Sequence, residues 1–380
     1  MHLADRLKVA ILHGFSRANS GDGLLVDLTL EALGDAGVPR KDCCVFALDP
    51  ASFSDLANVE RAPGEPTAQM SMRLLGAAGE AGLSLIGQGQ LACKLARFDA
   101  LVAVGGGYLV ADRPTRQAGV IVNHLAQLRA AARHSGPTIY LPQSIGPLAG
   151  VAGRLTRAAL ARMDRVWARD DETIRELNLP NVRRCPDLAV MKLARELTAS
   201  APLGAAPPAS GAPVILVGRE LPHAPGYPDR LRALQAALPG ANWAVQADVS
   251  GPRSDQTFYR REGLSPVLGP LAQALQAPGG PVVSVRLHGA IAALLAGRPA
   301  IHLCYERKGW AAFADLGLQE YAHDARNFDP VAVAAQALML ASDPEPFWRK
   351  IADTCPGLAA HWTAMVADLS RRICGPKQDA

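Results

Sequence analysis

Apolar runs and Ala/Leu-rich helical stretches alternate along this chain, and the alternation runs through twice. In the first half, Lys8–Leu12 predicts a buried strand, because aliphatic residues follow one another with no polar break. A polar loop, His13–Asp22, leads into a helix over Gly23–Leu33, which Gly34 or Gly37 ends. Asn19, Ser20 and Asp22 are all of the type that caps a helix N-terminus. Further strands are predicted over Cys44–Leu48, Ala100–Val104, Thr138–Leu141, Arg165–Ala168 and Val182–Cys185, with helices over Gln117–Arg133, Ala152–Arg162 and Glu172–Leu177. Residues 50–95 mix a polar loop with Ala-, Leu- and Gly-rich helical segments and are the least legible part of this half.

Residues 199–213 carry no charge and are rich in Pro, Gly, Ala and Ser, which marks a linker. The alternation then restarts with strands over Pro213–Val217, Asn242–Val245, Val282–Val285 and Ala300–Tyr305. Helices are predicted over Pro228–Leu238, Pro270–Gln276 and Ala290–Ala296, with Asp255 in a loop and Arg286–Gly289 as a turn. The tail, Pro346–Ile373, is helical, with Pro356 interrupting it. The expected fold class is therefore α/β, two doubly wound domains in tandem with a central cleft. The predicted spans are 1–198, a linker at 199–213, 214–345, and a helical tail at 346–380 that crosses back to the first domain.

In open α/β sheets ligands sit beyond the carboxyl ends of the strands. The polar residues at those ends are therefore the candidates. Arg286, His288, Glu306 and Lys308 would face one crevice, where an Arg and a Lys suit an anionic ligand and a His suits proton transfer. Gly105, Gly106 and Gly107 follow a strand directly and would let backbone approach a ligand closely. Gln143 and Ser144 end another strand as neutral hydrogen-bonders, suited to sugar hydroxyls or to tying the turn. The Asp170–Asp171 pair caps the next helix, and Arg169 either pairs with those carboxylates or reaches an anion.

Composition narrows the function. Basic and acidic residues number 39 and 35, a balance too even for a nucleic-acid footprint. No apolar run is long enough to span a bilayer, and the start reads as a strand after a short charged leader, not as a signal peptide. The seven cysteines are scattered and odd in number, which fits reduced cytosolic thiols and no metal-ligand spacing.

Taken in order, Asn-Ser-Gly-Asp at 19–22, Gly-Gly-Gly at 105–107, Gln-Ser-Ile-Gly-Pro at 143–147, Arg-Asp at 169–170, Pro-Asp at 186–187, Arg-Leu-His at 286–288 and Tyr-Glu-Arg-Lys at 305–308 resemble the polysaccharide pyruvyl transferases. The resemblance covers about residues 10 to 320, with departures at Gly23-Leu24 and Thr173. It implies a GT-B-like pair of Rossmann-like domains, with the acceptor on the first and phosphoenolpyruvate on the second. It implies transfer of pyruvate from phosphoenolpyruvate to a sugar or lipid-linked oligosaccharide of a cell-surface glycan precursor, as a cyclic ketal. Phosphoenolpyruvate is then a co-substrate, with no cofactor and no metal. On that reading His288 is the acid, Arg219, Arg286, Lys308 and Arg169 grip the donor, and Asn19, Asp22, Gly105, Gly106, Gly107, Gln143 and Ser144 line the acceptor side. The expected location is the cytoplasm, at the inner face of the membrane, where Arg154, Arg157 and Arg162 would offer contact or simply a solvated face. Two other functions fit the same pattern: a GT-B glycosyltransferase using a nucleotide sugar, with Glu306 on the ribose, and a non-catalytic subunit of glycan assembly.

Overall fold

The computed structural model describes residues 7–63, 89–199, 212–247 and 254–375. Most of the predicted linker at 199–213 lies outside those residues, as does much of the poorly legible stretch at 50–95.

Two parallel sheets form the frame. The first has seven strands in the order β3-β2-β1-β4-β5-β6-β7. These are β1 (Val9–Gly14), β2 (Cys43–Ala47), β3 (Val59–Arg61), β4 (Ala100–Ala103), β5 (Thr138–Gln143), β6 (Arg165–Ala168) and β7 (Val182–Arg184). The second has six, ordered β10-β9-β8-β11-β12-β13: β8 (Ile215–Val217), β9 (Asn242–Val245), β10 (Val267–Pro270), β11 (Val282–Ser284), β12 (Ala300–Cys304) and β13 (Ala322–Asp324). The central strands β1, β4 and β5 are buried at every position, because helices cover both faces of a parallel sheet. Each sheet reverses its winding direction once, between β1 and β4 in the first and between β8 and β11 in the second. Those two switch points are where ligands are expected.

The chain divides into two compact units. One holds Met1–Arg17, Asp22–Leu188 and Trp362–Ala380, and the other holds Ala18–Gly21 and Ala189–His361. The fold is thus α/β with two Rossmann-like units. Two short segments depart from a simple N-to-C partition. Ala18–Gly21 belongs with the second sheet, and the end of the last helix belongs with the first.

That last helix runs unbroken over Glu345–Ile373, although Pro356 lies inside it. The expected interruption does not occur. Proline forfeits one backbone hydrogen bond and strains the preceding turn. Against that, Phe347, Ile351, Cys355, Leu358, Trp362, Met365, Leu369 and Ile373 form a buried stripe three to four residues apart through the proline. Within the first unit, Trp362 Nε1 donates to Asp35 Oδ2 at 2.9 Å, and the buried carboxylate of Asp368 pairs with Arg165 at 3.0 Å.

Three other local readings change. Asp255 is not in a loop but opens the helix Asp255–Glu262. The Arg286–Gly289 stretch is not a separate turn: Arg286 is the N-cap and Leu287, His288 and Gly289 form the first helical turn of Leu287–Leu295. Asp170, not the Asp170–Asp171 pair, caps Asp171–Leu177, its Oδ1 accepting from the Thr173 N–H at 2.7 Å. Of the basic residues near the helix Gly150–Leu160, Arg157 pairs with Glu176 at 3.0 Å and Arg162 donates to the Ala132 carbonyl at 2.9 Å. They serve the unit's own packing. Among the described residues no helix is long and apolar enough to cross a membrane. None of the seven cysteines forms a disulfide among the described residues.

Candidate active site

The carboxyl ends of β8, β9, β11 and β12 carry the polar groups of the second unit. β11 ends at Ser284, and Arg286 follows as the N-cap of Leu287–Leu295. Asp255, 1% exposed, accepts from Arg286 Nε at 3.0 Å and also takes one of its terminal nitrogens. The same carboxylate accepts the backbone N–H groups of Gln246 and Ala247, at 3.1 and 2.9 Å, just beyond β9. Burial opposes a charge on Arg286, yet the charge and hydrogen bonds of Asp255 lift its pKa above the ordinary value. Asp255 therefore fixes both the position and the charge of Arg286. The sequence offered no sign of this, because the pairing joins residues 31 positions apart.

His288 lies in the first turn of that helix. Its imidazole packs against Gly21: a Cβ built at Gly21 would come within 2.6 Å of Nδ1 and 3.0 Å of Cγ of His288. Only glycine fits there. The neighbouring residues hold that segment in place, with Asn19 bridging to Ala247 and Ser20 Oγ donating to the Gln246 carbonyl at 3.2 Å. The motifs at 19–22 and 286–288 thus meet at one imidazole.

Lys308 stands in the first turn of the helix Arg307–Asp315, which follows β12, and its Nζ pairs with Glu306 at 2.8 Å. Beneath it, His302 is buried with Nδ1 donating to the Ser284 carbonyl at 2.8 Å. Its pKa is pushed down to about 4, by burial first and then by Lys308 and His288. Arg219, two residues past β8, lies over the Tyr305 ring at 4.8 Å and donates to the Tyr305 hydroxyl. Tyr259 ties the strand ends beneath, accepting from the Gly218 N–H at 2.9 Å and donating to the Ala244 carbonyl at 2.8 Å.

The cations do not arrive bare, as the sequence suggests. Arg286 is matched by Asp255 and Lys308 by Glu306, while Arg219 has only aromatic and carbonyl partners among the described residues. Two nine-residue helices also start here, and their first-turn N–H groups favour anions. The ensemble can therefore hold a small polyanion beside an imidazole. Among the described residues no three His, Cys, Asp or Glu side chains come together as metal ligands.

The first unit corrects several expectations. Arg169 is 2% exposed, forms an ion pair with the equally buried Asp187, and donates from Nε to Ser144 Oγ at 2.9 Å. Ser144 in turn donates to Asp170. A guanidinium so enclosed binds its own fold and not a donor anion. Gln143 is fully buried, with Nε2 on the Val104 carbonyl, so it and Ser144 tie the turn instead of facing sugar hydroxyls. Gly105 lacks a Cβ for a similar reason, since one built there would lie 2.6 Å from the Pro142 carbonyl oxygen. At Gly106 the Tyr108 ring takes that space, 2.9 Å away. Gly107 is half-exposed, and Asp22 lies in the first turn of Ser20–Asp35.

A family model described as polysaccharide pyruvyl transferase matches residues 19–243. The chain belongs to that family. In this pyruvyl transferase family member the matched stretch includes the first unit's motifs and Arg219, whereas Arg286, His288 and Lys308 lie beyond it. No curated protein matches the chain. Among solved structures it resembles HepE of Anabaena in complex with UDP and glucose, at 13% identity and TM-score 0.56, over 97% of this chain and 100% of that one. Sucrose-phosphate synthase from Thermosynechococcus elongatus aligns at 14% identity and TM-score 0.56, over 96% and 98% of the two chains. UDP-GlcNAc 2-epimerase from Neisseria meningitidis, bound to UDP-GlcNAc, aligns at 11% identity and TM-score 0.50, over 94% and 99%. At such identities the likeness is one of fold, and that fold is GT-B-like.

Proposed function

We propose that this chain moves pyruvate from phosphoenolpyruvate onto two hydroxyls of one sugar in a glycan precursor, forming a cyclic ketal and releasing phosphate. The observation that supports this best is Arg286, locked in place by Asp255 two residues from His288 at a helix N-terminus. Phosphoenolpyruvate offers a carboxylate and a phosphate on one small frame. Arg219, Arg286 and Lys308, with two helix N-termini, supply complementary donors. Arg219, the cation with no carboxylate partner among the described residues, gains most from such a ligand.

The chemistry follows from the groups. His288 gives a proton to the methylene carbon, and a sugar hydroxyl attacks the neighbouring carbon. The hydroxyl proton restores His288. Phosphate then leaves with its bonding electrons, and the second hydroxyl closes the ring as its proton passes to phosphate. Arg219 and Lys308 neutralise the departing charge. The acceptor in this reading is a sugar or a lipid-linked oligosaccharide handled at the cytoplasmic face of the membrane, and no cofactor takes part.

The test is phosphate release from phosphoenolpyruvate in the presence of a panel of methyl pyranosides and lipid-linked oligosaccharides. Release by the wild type, lost in a folded His288→Ala variant, supports the proposal. HepE was solved with UDP and glucose, so the competing outcome is specific. Thermal stabilisation by UDP-glucose, with none by phosphoenolpyruvate, overturns pyruvyl transfer in favour of glycosyl transfer.

A further inference from the structure

The first sheet has its own unusual chemistry at its switch point, separate from the groups already described. β1 ends in His13-Gly14, and the loop after β4 runs Gly105-Gly106-Gly107-Tyr108. His13 is buried with a φ of +65°, a backbone region that a non-glycine residue rarely enters, and the β1–β2 register shifts at this point. Its N–H donates to Gln127 Oε1 at 2.9 Å. Its Nε2 lies 2.8 Å from the Tyr140 hydroxyl, and its Nδ1 lies 3.2 Å from Nδ1 of His124. His124 sits in a π-helical turn, Ile121–Leu125, inserted between the helices Pro114–Val120 and Ala126–Ala131. Its ring stacks on Tyr108 at 4.7 Å and an angle of 28°. A strained residue and a π-turn, each a common mark of a functional site, thus converge on one pair of imidazoles.

Burial disfavours a charge on either imidazole. Burial, and then His124, push the His13 pKa well below its usual value, and burial brings His124 down to about 4. Two arrangements satisfy the row. In one, Tyr140 donates to His13 Nε2, His13 Nδ1–H donates to His124, and His124 Nε2 carries a proton. In the other, His124 Nδ1–H donates to His13, His13 Nε2–H donates to Tyr140, and His124 Nε2 is a bare lone pair. No described residue bonds that Nε2, and His124 is only half-buried. One atom can therefore either give or accept a hydrogen bond without any change of charge.

We infer that the switch point of the first sheet is a binding site for a hydroxyl of an uncharged sugar, contacted by His124 Nε2 and adjusted by the His13–Tyr140 row behind it. A hydroxyl needs a partner that accepts or donates as its own rotor turns, and a neutral tautomerising imidazole offers both. An anion would call for a charged donor here, and Arg169, the guanidinium whose charge bears on Tyr108, is committed to Asp187. This assignment rests on the reading of the chain as a sugar-modifying transferase and names where the sugar is held.

The test is ¹⁵N-histidine NMR of the full chain, with signals assigned by His124→Gln and His13→Gln. Tyr140→Phe, which removes only one hydroxyl, assigns the row should either variant unfold. Methyl glycosides of glucose, galactose and mannose are titrated in, and phosphoenolpyruvate separately. Saturable shifts of the His124 and His13 signals with at least one glycoside support the inference. Shifts of His288 with phosphoenolpyruvate, but none of His124 or His13 with any glycoside, overturn it and leave the donor reading intact. Glycoside shifts at His124 with no response of His288 to phosphoenolpyruvate overturn the donor reading alone.

Discussion

Asp255 holds Arg286 with both carboxylate oxygens, while one of them, Oδ2, also anchors the backbone beyond β9. Removing that carboxylate takes the counter-charge from a buried cation. Asp255→Ala is expected to cost about 3–5 kcal/mol of stability, the usual size for breaking a buried pair. Asp255→Asn keeps the shape and should fold better, yet raise the KM for phosphoenolpyruvate. Urea midpoints and donor kinetics measure the two effects separately, and an unchanged midpoint in Asp255→Ala would contradict the role given to this pair.

Gly21→Ala is expected to push the His288 imidazole aside, since the new methyl would overlap Nδ1 and Cγ. Activity should fall by about tenfold or more, because small displacements of a catalytic group cost rate steeply. Stability should also drop, and His288→Ala should restore it in the double variant. A double-mutant cycle on unfolding free energy reads this coupling directly, and additive effects would argue against the contact.

Arg219→Ala is expected to weaken donor binding more than it weakens the fold. Its guanidinium contacts Tyr305 and the Glu220 carbonyl and balances no carboxylate among the described residues. Arg169→Met should do the reverse, costing about 3–5 kcal/mol of stability by taking from Asp187 the cation it is paired with in the interior. The double variant Arg169→Met/Asp187→Leu should recover much of that loss. Thermal melts and phosphoenolpyruvate affinity, measured side by side, separate the two arginines.

Stability is expected to fall as the pH drops from about 6.5 toward 4. Buried His13 and His302 and half-buried His124 all have pKa values below 6.5 in the folded chain, His124 and His302 near 4. In that window the unfolded chain takes up protons that the folded chain refuses, so each group favours unfolding by up to about 1.4 kcal/mol per pH unit. Stability from these groups is fully present above 6.5. His302→Gln should flatten the slope of urea midpoint against pH between 7 and 5, and an identical slope would remove His302 from this account.

Ending the chain after His361 should destabilise the first unit on the order of 5–10 kcal/mol. It would delete Trp362, Met365, Leu369 and Ile373, all buried there, and the Asp368 partner of Arg165. Denaturation followed by fluorescence and by hydrogen exchange of β5 and β6 would locate the loss. Intact protection in those strands would mean the terminal turns are dispensable.

Much of the frame was legible because parallel strands are buried on both faces and read as unbroken apolar runs. Arg165–Ala168 and Asn242–Val245 end where the sequence placed them. Edge strands were not legible: β3 (Val59–Arg61) and β10 (Val267–Pro270) are only three and four residues long and partly exposed, and β10 ends in Gly-Pro, so nothing in their pattern separates them from loop. The helix through Pro356 was misread because a local rule yielded to burial along its whole length.

The sequence by itself determined the α/β class, the double repeat of the winding and the strand ends at which chemistry could occur. Those depend on the spacing of residues near one another in the chain. Only the tertiary structure decided which polar side chains are spent on the fold. Arg169, Gln143 and Ser144 turn inward, Asp255 comes up beneath Arg286, Gly21 meets His288, and His13 finds His124. Each of those pairs joins distant positions. A charge or an imidazole carries no mark in the sequence of the partner that will neutralise, bury or expose it.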